Sequence, residues 1–196
     1  MKIVIIGAGA IGRLFIVTAC ALGCVITIAL NFSHGEEKMP LTLISTAFAN
    51  GGPIPIKYTC EGEDISPLLK WEGVPEHTRS LVLIVDDPDA PDPKAPRMTW
   101  VHWVLYNIPA EATGLSEGVI SGSLPPGTEE GLNDWKKTDY GGPCPPIGRH
   151  RYFHKLYALD TVLKGLRRPT KSQVEAAMRD HIIAKAELVG TYEKSK

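Results

Sequence analysis

The sequence predicts a mostly β domain, on three observations. Pro and Gly number 16 and 19, together about 18% of the 196 residues, which favours short elements joined by turns. Three long runs rich in β-branched and aromatic residues recur between Ser80 and Leu159. Convincing helical spacing is confined to one stretch near the C-terminus.

Taken in order, Leu41–Ile44 is a short apolar strand, and Asn50-Gly51-Gly52-Pro53 is a turn. Pro53–Ile56 alternates, but its prolines confine it to an edge or an irregular stretch. Ser80–Val85 is unbroken and apolar after its first residue, as a central strand buried on both faces should be. Thr99–Ile108 and Arg151–Leu159 are two further strong strands. Thr170 and Gln173 have capping-box spacing, and Val174, Met178 and Ile182 recur at every fourth position, predicting a terminal helix.

Apolar residues make up 43% and charged residues 22%, as in ordinary globular proteins. The net charge of -1 lacks the basic excess of a nucleic-acid binder. Four cysteines are too few for a disulfide scaffold.

Residues 1–38 are different. Between Ile3 and Leu30 the only charge is Arg13, a stretch long enough to cross a membrane as a helix. Lys2 and Arg13 precede the most apolar part, and Glu36 and Glu37 follow it, so the positive-inside rule exports the rest of the chain. A signal or signal anchor is the preferred reading, which places the domain outside the cytoplasm, anchored or secreted. Three alternatives stand beside it. Gly7, Gly9 and Gly12 spell G-x-G-x-x-G, but no amphipathic helix or correctly spaced acid follows. Val17–Cys20 has the pattern of a lipoprotein signal, yet the chain stays apolar beyond it. Translation from Met39 would leave a self-sufficient, cytoplasmic domain.

The chemistry-bearing residues lie at strand ends and in loops. Asp86, Asp87 and Asp89 crowd three carboxylates into four residues, in a loop whose prolines hinder their separation. Such a run is either a solvated turn or a site that orients donors. His102 sits inside a strand between Trp100 and Trp103; a lone strand histidine is more often a satisfied core residue than a ligand. After the Gly- and Pro-rich run Gly141–Pro146, a strand through His150 puts His150, Tyr152 and His154 on one face. Arg151 then points the other way, into a structural ion pair.

Together these motifs resemble the phosphatidylethanolamine-binding protein family, and most closely its bacterial and archaeal Raf kinase inhibitor-like branch. The resemblance rests on Asp87-Pro88-Asp89-Ala90-Pro91, Trp100-Val101-His102-Trp103, Gly142-Pro143-Cys144-Pro145-Pro146 and Gly148-Arg149-His150-Arg151-Tyr152. Tyr58-Thr59-Cys60, Ile65-Ser66-Pro67, Tyr106–Pro109, Lys155–Asp160 and Leu188–Tyr192 extend it from about Met39 to Tyr192. It implies two stacked β-sheets with a Greek-key element, peripheral helices, and one small pocket for phosphate or a phospholipid head group. The implied pocket residues are Asp87, Asp89, Pro91, His102, Cys144, Pro145, Pro146, His150 and Tyr152. The proline loop is shorter than in the animal members, and Cys144 stands roughly where a glycine supplies backbone donors.

Bare carboxylates repel phosphate. A workable pocket therefore has Asp87 or Asp89 accept a hydrogen bond from His102 or His150, which raises the histidine pKa and keeps it a donor. Tyr152 and backbone N–H groups add bonds, and a carboxylate can meet the ammonium of a zwitterionic head group. The family also implies inhibition of a kinase or protease partner, and a homodimer. The rival reading is a hydrolase or metal-dependent enzyme built on the two Asp and two His, but neither H-E-x-x-H nor a nucleophile elbow is present. A non-enzymatic binding module without metal or cofactor is the expectation. In an exported domain the family layout also brings Cys60 and Cys144 close enough for a disulfide; in the cytoplasm both would be thiols.

Overall fold

The structure is a computed structural model that describes residues 3–6, 13–19, 25–31 and 39–195. The chain divides into two compact units, Met1–Lys38 and Met39–Lys196.

In the first unit β1 (Ile3–Ile6), β2 (Arg13–Ala19) and β3 (Val25–Asn31) form an antiparallel sheet in the order β1-β2-β3. Ile6 pairs with Phe15, and Ala19 with Val25. The sequence reading allows this stretch to be a membrane-crossing helix; its described residues are strands instead. Its runs of Ile, Val and Thr account for this, because β-branched side chains lose rotamer freedom in a helix and suit a pleated backbone. Among the described residues no helix is long and apolar enough to cross a membrane. Gly7, Gly9, Gly12 and Cys20 lie outside the described residues.

The second unit holds two antiparallel sheets. β4 (Thr42–Ile44), β5 (Leu69–Glu72) and β8 (Gly114–Leu115) form the smaller. The larger comprises β6 (Ser80–Asp87), β7 (Trp100–Pro109), β9 (Glu129–Glu130), β10 (His150–Leu159) and β11 (Ile182–Tyr192), in the order β11-β10-β6-β7-β9. β6, β7 and β9 lie side by side and β10 returns to flank β6, which is the Greek-key arrangement.

The larger sheet is covered on both faces, and this explains its unbroken apolar strands. Leu81, Leu83 and Val85 of β6 pack with Leu43, Leu69, Trp71 and Leu115 of the smaller sheet. Val82 and Ile84, on the opposite face, pack with Leu163, Val174 and Met178. Every residue of β6 is buried.

Helix α1 (Lys171–Met178) is capped as its sequence predicts, with the Gln173 backbone N–H donating to the Thr170 side chain. It is shorter than the four-residue spacing suggests. Ile182 opens β11 and is exposed, so the chain closes on a strand and not on the helix. Pro53 and Ile54 run beside Thr191 at the edge of the sheet, where a residue lacking an N–H is tolerated.

Candidate functional site

The acidic run lies where β6 leaves the sheet, and strand alternation separates its carboxylates. Asp86 falls on the helix side. It is fully buried and accepts from Lys155 Nζ at 2.7 and 2.9 Å and from Lys171 Nζ at 2.6 Å. Asp87 falls on the intersheet side. Its Oδ1 accepts from the Asp89 backbone N–H at 2.8 Å, and its Oδ2 lies 2.6 Å from His150 Nδ1. Asp89 turns outward to Arg151. It accepts from the Arg151 backbone N–H at 2.9 Å, from Nε at 2.9 Å and from Nη2 at 2.7 Å. These bonds hold its carboxyl below the usual carboxylate range. The crowding expected of this loop is thus resolved: each carboxylate faces its own basic partner.

A β-bulge aims His102. Val85 pairs with Trp103 and Asp86 with Val101, which leaves His102 as the extra residue in β7. Val101 packs on the helix side and Trp103 in the intersheet core, while His102 lines a cavity. Its Nδ1 lies 2.7 Å from the Gly141 carbonyl, which can only accept, so Nδ1 carries the proton. Burial pushes the His102 pKa down, against the Gly141 bond and the fields of Asp87, Asp86 and Asp134. Among the described residues no carboxylate bonds to it, so the Asp–His partnership allowed by the sequence is not built at His102.

That partnership is built at His150, which is fully buried. Its Nε2 lies 3.0 Å from the Ile147 carbonyl. Both ring nitrogens therefore face oxygen atoms, one of a carboxylate and one of a carbonyl. Tyr152 stands between the two histidines, stacked on His150 with centroids 6.5 Å apart and edge-on to His102 at 5.2 Å. Its hydroxyl is buried without a partner, and burial raises its pKa.

The cavity that these groups share has a volume of about 530 Å³. Asp87, Pro91, His102, Cys144, Pro145, Pro146, His150 and Tyr152 line it, and Asp89 does not. Asp89 is drawn away because Arg151, on the opposite face of β10, offers a bidentate fork. His154 shares the strand face of His150 and Tyr152 but sits deeper. It is buried beside Phe48, with ring centroids 5.5 Å apart, and does not line the cavity. Burial lowers its pKa to about 4, against the backbone of Tyr152 and Leu188, which favours the charged ring.

Cys60 and Cys144 are joined in a disulfide with Cα atoms 5.4 Å apart, and both contribute to the cavity wall. The sequence reading does not single out several other lining residues. Trp100 brings an indole N–H that is buried without a partner. Asp64 accepts from the Gly142 backbone N–H at 2.7 Å. Trp135 stands edge-on to both Trp100 and His102, at 5.3 and 5.2 Å. Its sequence signal is a tryptophan in a polar loop before Lys136 and Lys137, 41% exposed in the folded chain. Asp139 and Lys137 complete the charges of the wall. Among the described residues no group of three or more His, Cys, Asp or Glu converges as a metal site would.

Residues 44–193 match the family model described as phosphatidylethanolamine-binding protein. The chain belongs to the phosphatidylethanolamine-binding protein family. A UPF0098 protein of Methanothermobacter thermautotrophicus is 49% identical over 155 residues, covering 79% of this chain and 99% of the relative. Among solved structures, a putative phosphatidylethanolamine-binding protein homologue from Chlamydia trachomatis superposes with a TM-score of 0.73 at 45% identity. That match covers 80% of this chain and 99% of the other. YbcL of E. coli, described as a new member of the mammalian phosphatidylethanolamine-binding protein family, gives 0.72 at 33% identity, covering 80% and 100%. The mostly β, two-sheet architecture is therefore that of bacterial and archaeal phosphatidylethanolamine-binding proteins.

Proposed function

We propose that the domain is a binding module whose cavity takes a small phosphate-bearing head group. The observation that carries this reading is the convergence of buried polar groups on one cavity. Asp87 and His150 form a bonded pair, and the lining residues Tyr152 and Trp100 carry a buried hydroxyl and a buried indole N–H that have no partner among the described residues. Leaving such groups unpaired costs free energy that a ligand with acceptor oxygens recovers. Asp64 and Asp139 in the same wall favour a zwitterion, whose ammonium they can meet. The cavity volume of about 530 Å³ suits a head group.

Binding is favoured over hydrolysis. Among the described residues no serine or threonine lines the cavity, and its two cysteines are tied up in the disulfide. The disulfide also supports an extracytoplasmic location, where such bonds persist. That location accords with a signal or anchor role for residues 1–38, through which the chain would meet a membrane. Regulation of a kinase or protease is the accompanying partner proposal, with the exposed Met98 and Trp135 of the cavity wall as its contact area.

The test is an NMR titration of the protein and its His150→Ala variant with phosphoethanolamine and inorganic phosphate. Saturable shifts at Asp87, His102 and Tyr152 that disappear in the variant are expected. A folded wild-type protein showing no shifts with either compound would overturn the proposal.

A further inference from the structure

Strand β11 forms one edge of the larger sheet and is covered along only part of its length. Near its C-terminal end the segment Asn50–Ile54 takes up the outward backbone groups. The Val189 carbonyl accepts from the Gly51 N–H at 2.7 Å, and the Val189 N–H donates to Asn50 Oδ1 at 2.9 Å. Thr191 donates to the Gly52 carbonyl and accepts from the Ile54 N–H, both at 2.8 Å. Every second residue of β11 therefore turns its backbone groups away from β10. The register with β10 is unbroken from Ala184 to Tyr192, so Lys185 and Glu187 do the same. Among the described residues nothing bonds to their N–H and C=O groups on that side.

An uncovered edge of this kind is a template for another strand, and a lysine placed on it ordinarily repels a second copy. Here Glu187 follows Lys185 on the same face of the strand. Both side chains are exposed, and among the described residues neither forms an ion pair. Ala186 lies between them, turned inward against the core. This spacing is self-complementary. In an antiparallel pair of β11 strands with the two-fold axis at Ala186, each Lys185 stands opposite the partner's Glu187. Both residues direct their backbone groups outward, so each such pair also exchanges two N–H···O bonds. With the axis at Lys185 or at Glu187, like charges would face each other. With the axis at Ala184, Lys185 would face Ile183 and Glu187 would meet no opposite charge. Exposed apolar side chains flank the stretch. Ile182 and Ile183 of β11, and Ile44 of the adjacent β4, are 39%, 41% and 52% exposed.

We propose that two copies of this chain associate edge to edge through β11, antiparallel about Ala186, with Lys185 of each copy paired to Glu187 of the other. The contact is isologous, and it joins two five-stranded sheets into one sheet of ten strands. The segment Asn50–Ile54 closes the paired stretch at one end. At the other end the register with β10 slips at Ile183, so the strand does not present a longer straight edge. Neither Lys185 nor Glu187 lines the cavity, so the association does not rest on what the cavity binds.

The experiment is sedimentation equilibrium of the full chain over a concentration series, on the wild type, Lys185→Glu, Glu187→Lys and the double swap Lys185→Glu/Glu187→Lys. The four proteins differ only at two exposed positions, so any self-association through residues 1–38 is common to all of them. Each single variant sets two like-charged pairs in place of two opposite ones. Its dimer should be at least about tenfold weaker than the wild-type dimer. The double swap should restore wild-type affinity to within about threefold. An equimolar mixture of the two single variants sets an acidic edge against a basic one, and should form a heterodimer more tightly than either variant forms a homodimer. Circular dichroism spectra that match the wild type show that the variants are folded. A wild-type chain that stays monomeric up to about 1 mM would overturn the proposal. Single variants that dimerise as the wild type does would overturn it too, because the association would then use another surface. A double swap no better than the single variants, or a mixture that forms no heterodimer, would overturn the register.

Discussion

Asp87 Oδ2 lies 2.6 Å from His150 Nδ1, and both side chains are buried. This bond ties the end of β6 to the start of β10 and fixes two walls of the cavity. Removing one partner of a buried pair leaves the other uncompensated, at roughly 3–5 kcal/mol. Asp87→Asn should therefore lower unfolding stability by up to that amount and abolish the phosphoethanolamine shifts. Urea denaturation together with the titration measures both.

Arg151 and Asp89 should behave differently, because their fork lies outside the cavity wall. Arg151→Gln should leave head-group affinity within about twofold and lower stability by about 1 kcal/mol, as for half-exposed pairs. The Asp89 pKa is depressed by Arg151. The stabilisation it contributes is thus full above the unfolded carboxylate value near 4 and is lost as pH falls through the lower folded value. Acid titration of unfolding stability should show a smaller loss in the variant, which keeps only the backbone N–H bond to Asp89.

His154 has the same sign of linkage, in a higher pH window. Its folded pKa of about 4 lies below the unfolded value near 6.5, so the unfolded state takes up a proton first. Stability should drop as pH falls from 6.5 towards 4, by roughly 3 kcal/mol from this residue. His154→Leu, which removes the titrating ring, should flatten that part of the profile. The share due to His102, whose pKa is likewise lowered by burial, should remain. Denaturant midpoints of the two proteins across this range are the check, and identical slopes would count against the assignment.

The Cys60–Cys144 bond spans 84 residues. Chain entropy alone assigns about 4.5 kcal/mol to a loop of that length. The double variant Cys60→Ser/Cys144→Ser should lose stability on that scale. It should also bind phosphoethanolamine more weakly, since both residues belong to the cavity wall. Thermal unfolding and calorimetry of the double variant report the two effects separately.

How much of this was legible in the sequence depended on length and pattern. β6, β7 and β10 run for eight to ten residues and are rich in β-branched and aromatic side chains, so they announce themselves. β8 and β9 have two residues each, too few to show alternation. Ile182 fitted the helical spacing of Val174 and Met178 by coincidence, since its backbone belongs to a strand. In residues 1–38 apolar length alone does not separate a helix from strands. The described residues there are strands, in keeping with their β-branched content.

The residues of the candidate site could be named from their motifs, and strand alternation already placed His150 and Tyr152 on one face and Arg151 on the other. Composition and pattern therefore determined the fold class and the capped helix, and the family resemblance named part of the cavity wall. What only the tertiary structure decided is how those groups pair. Asp86 goes to two lysines, Asp87 to His150 and Asp89 to Arg151, while His102 bonds to a carbonyl 39 residues away. Sequence spacing carries the periodicity of a single strand. A hydrogen bond between strands depends on register, on one bulged residue in β7 and on which face of the sheet is already covered, and these are properties of the assembled sheets.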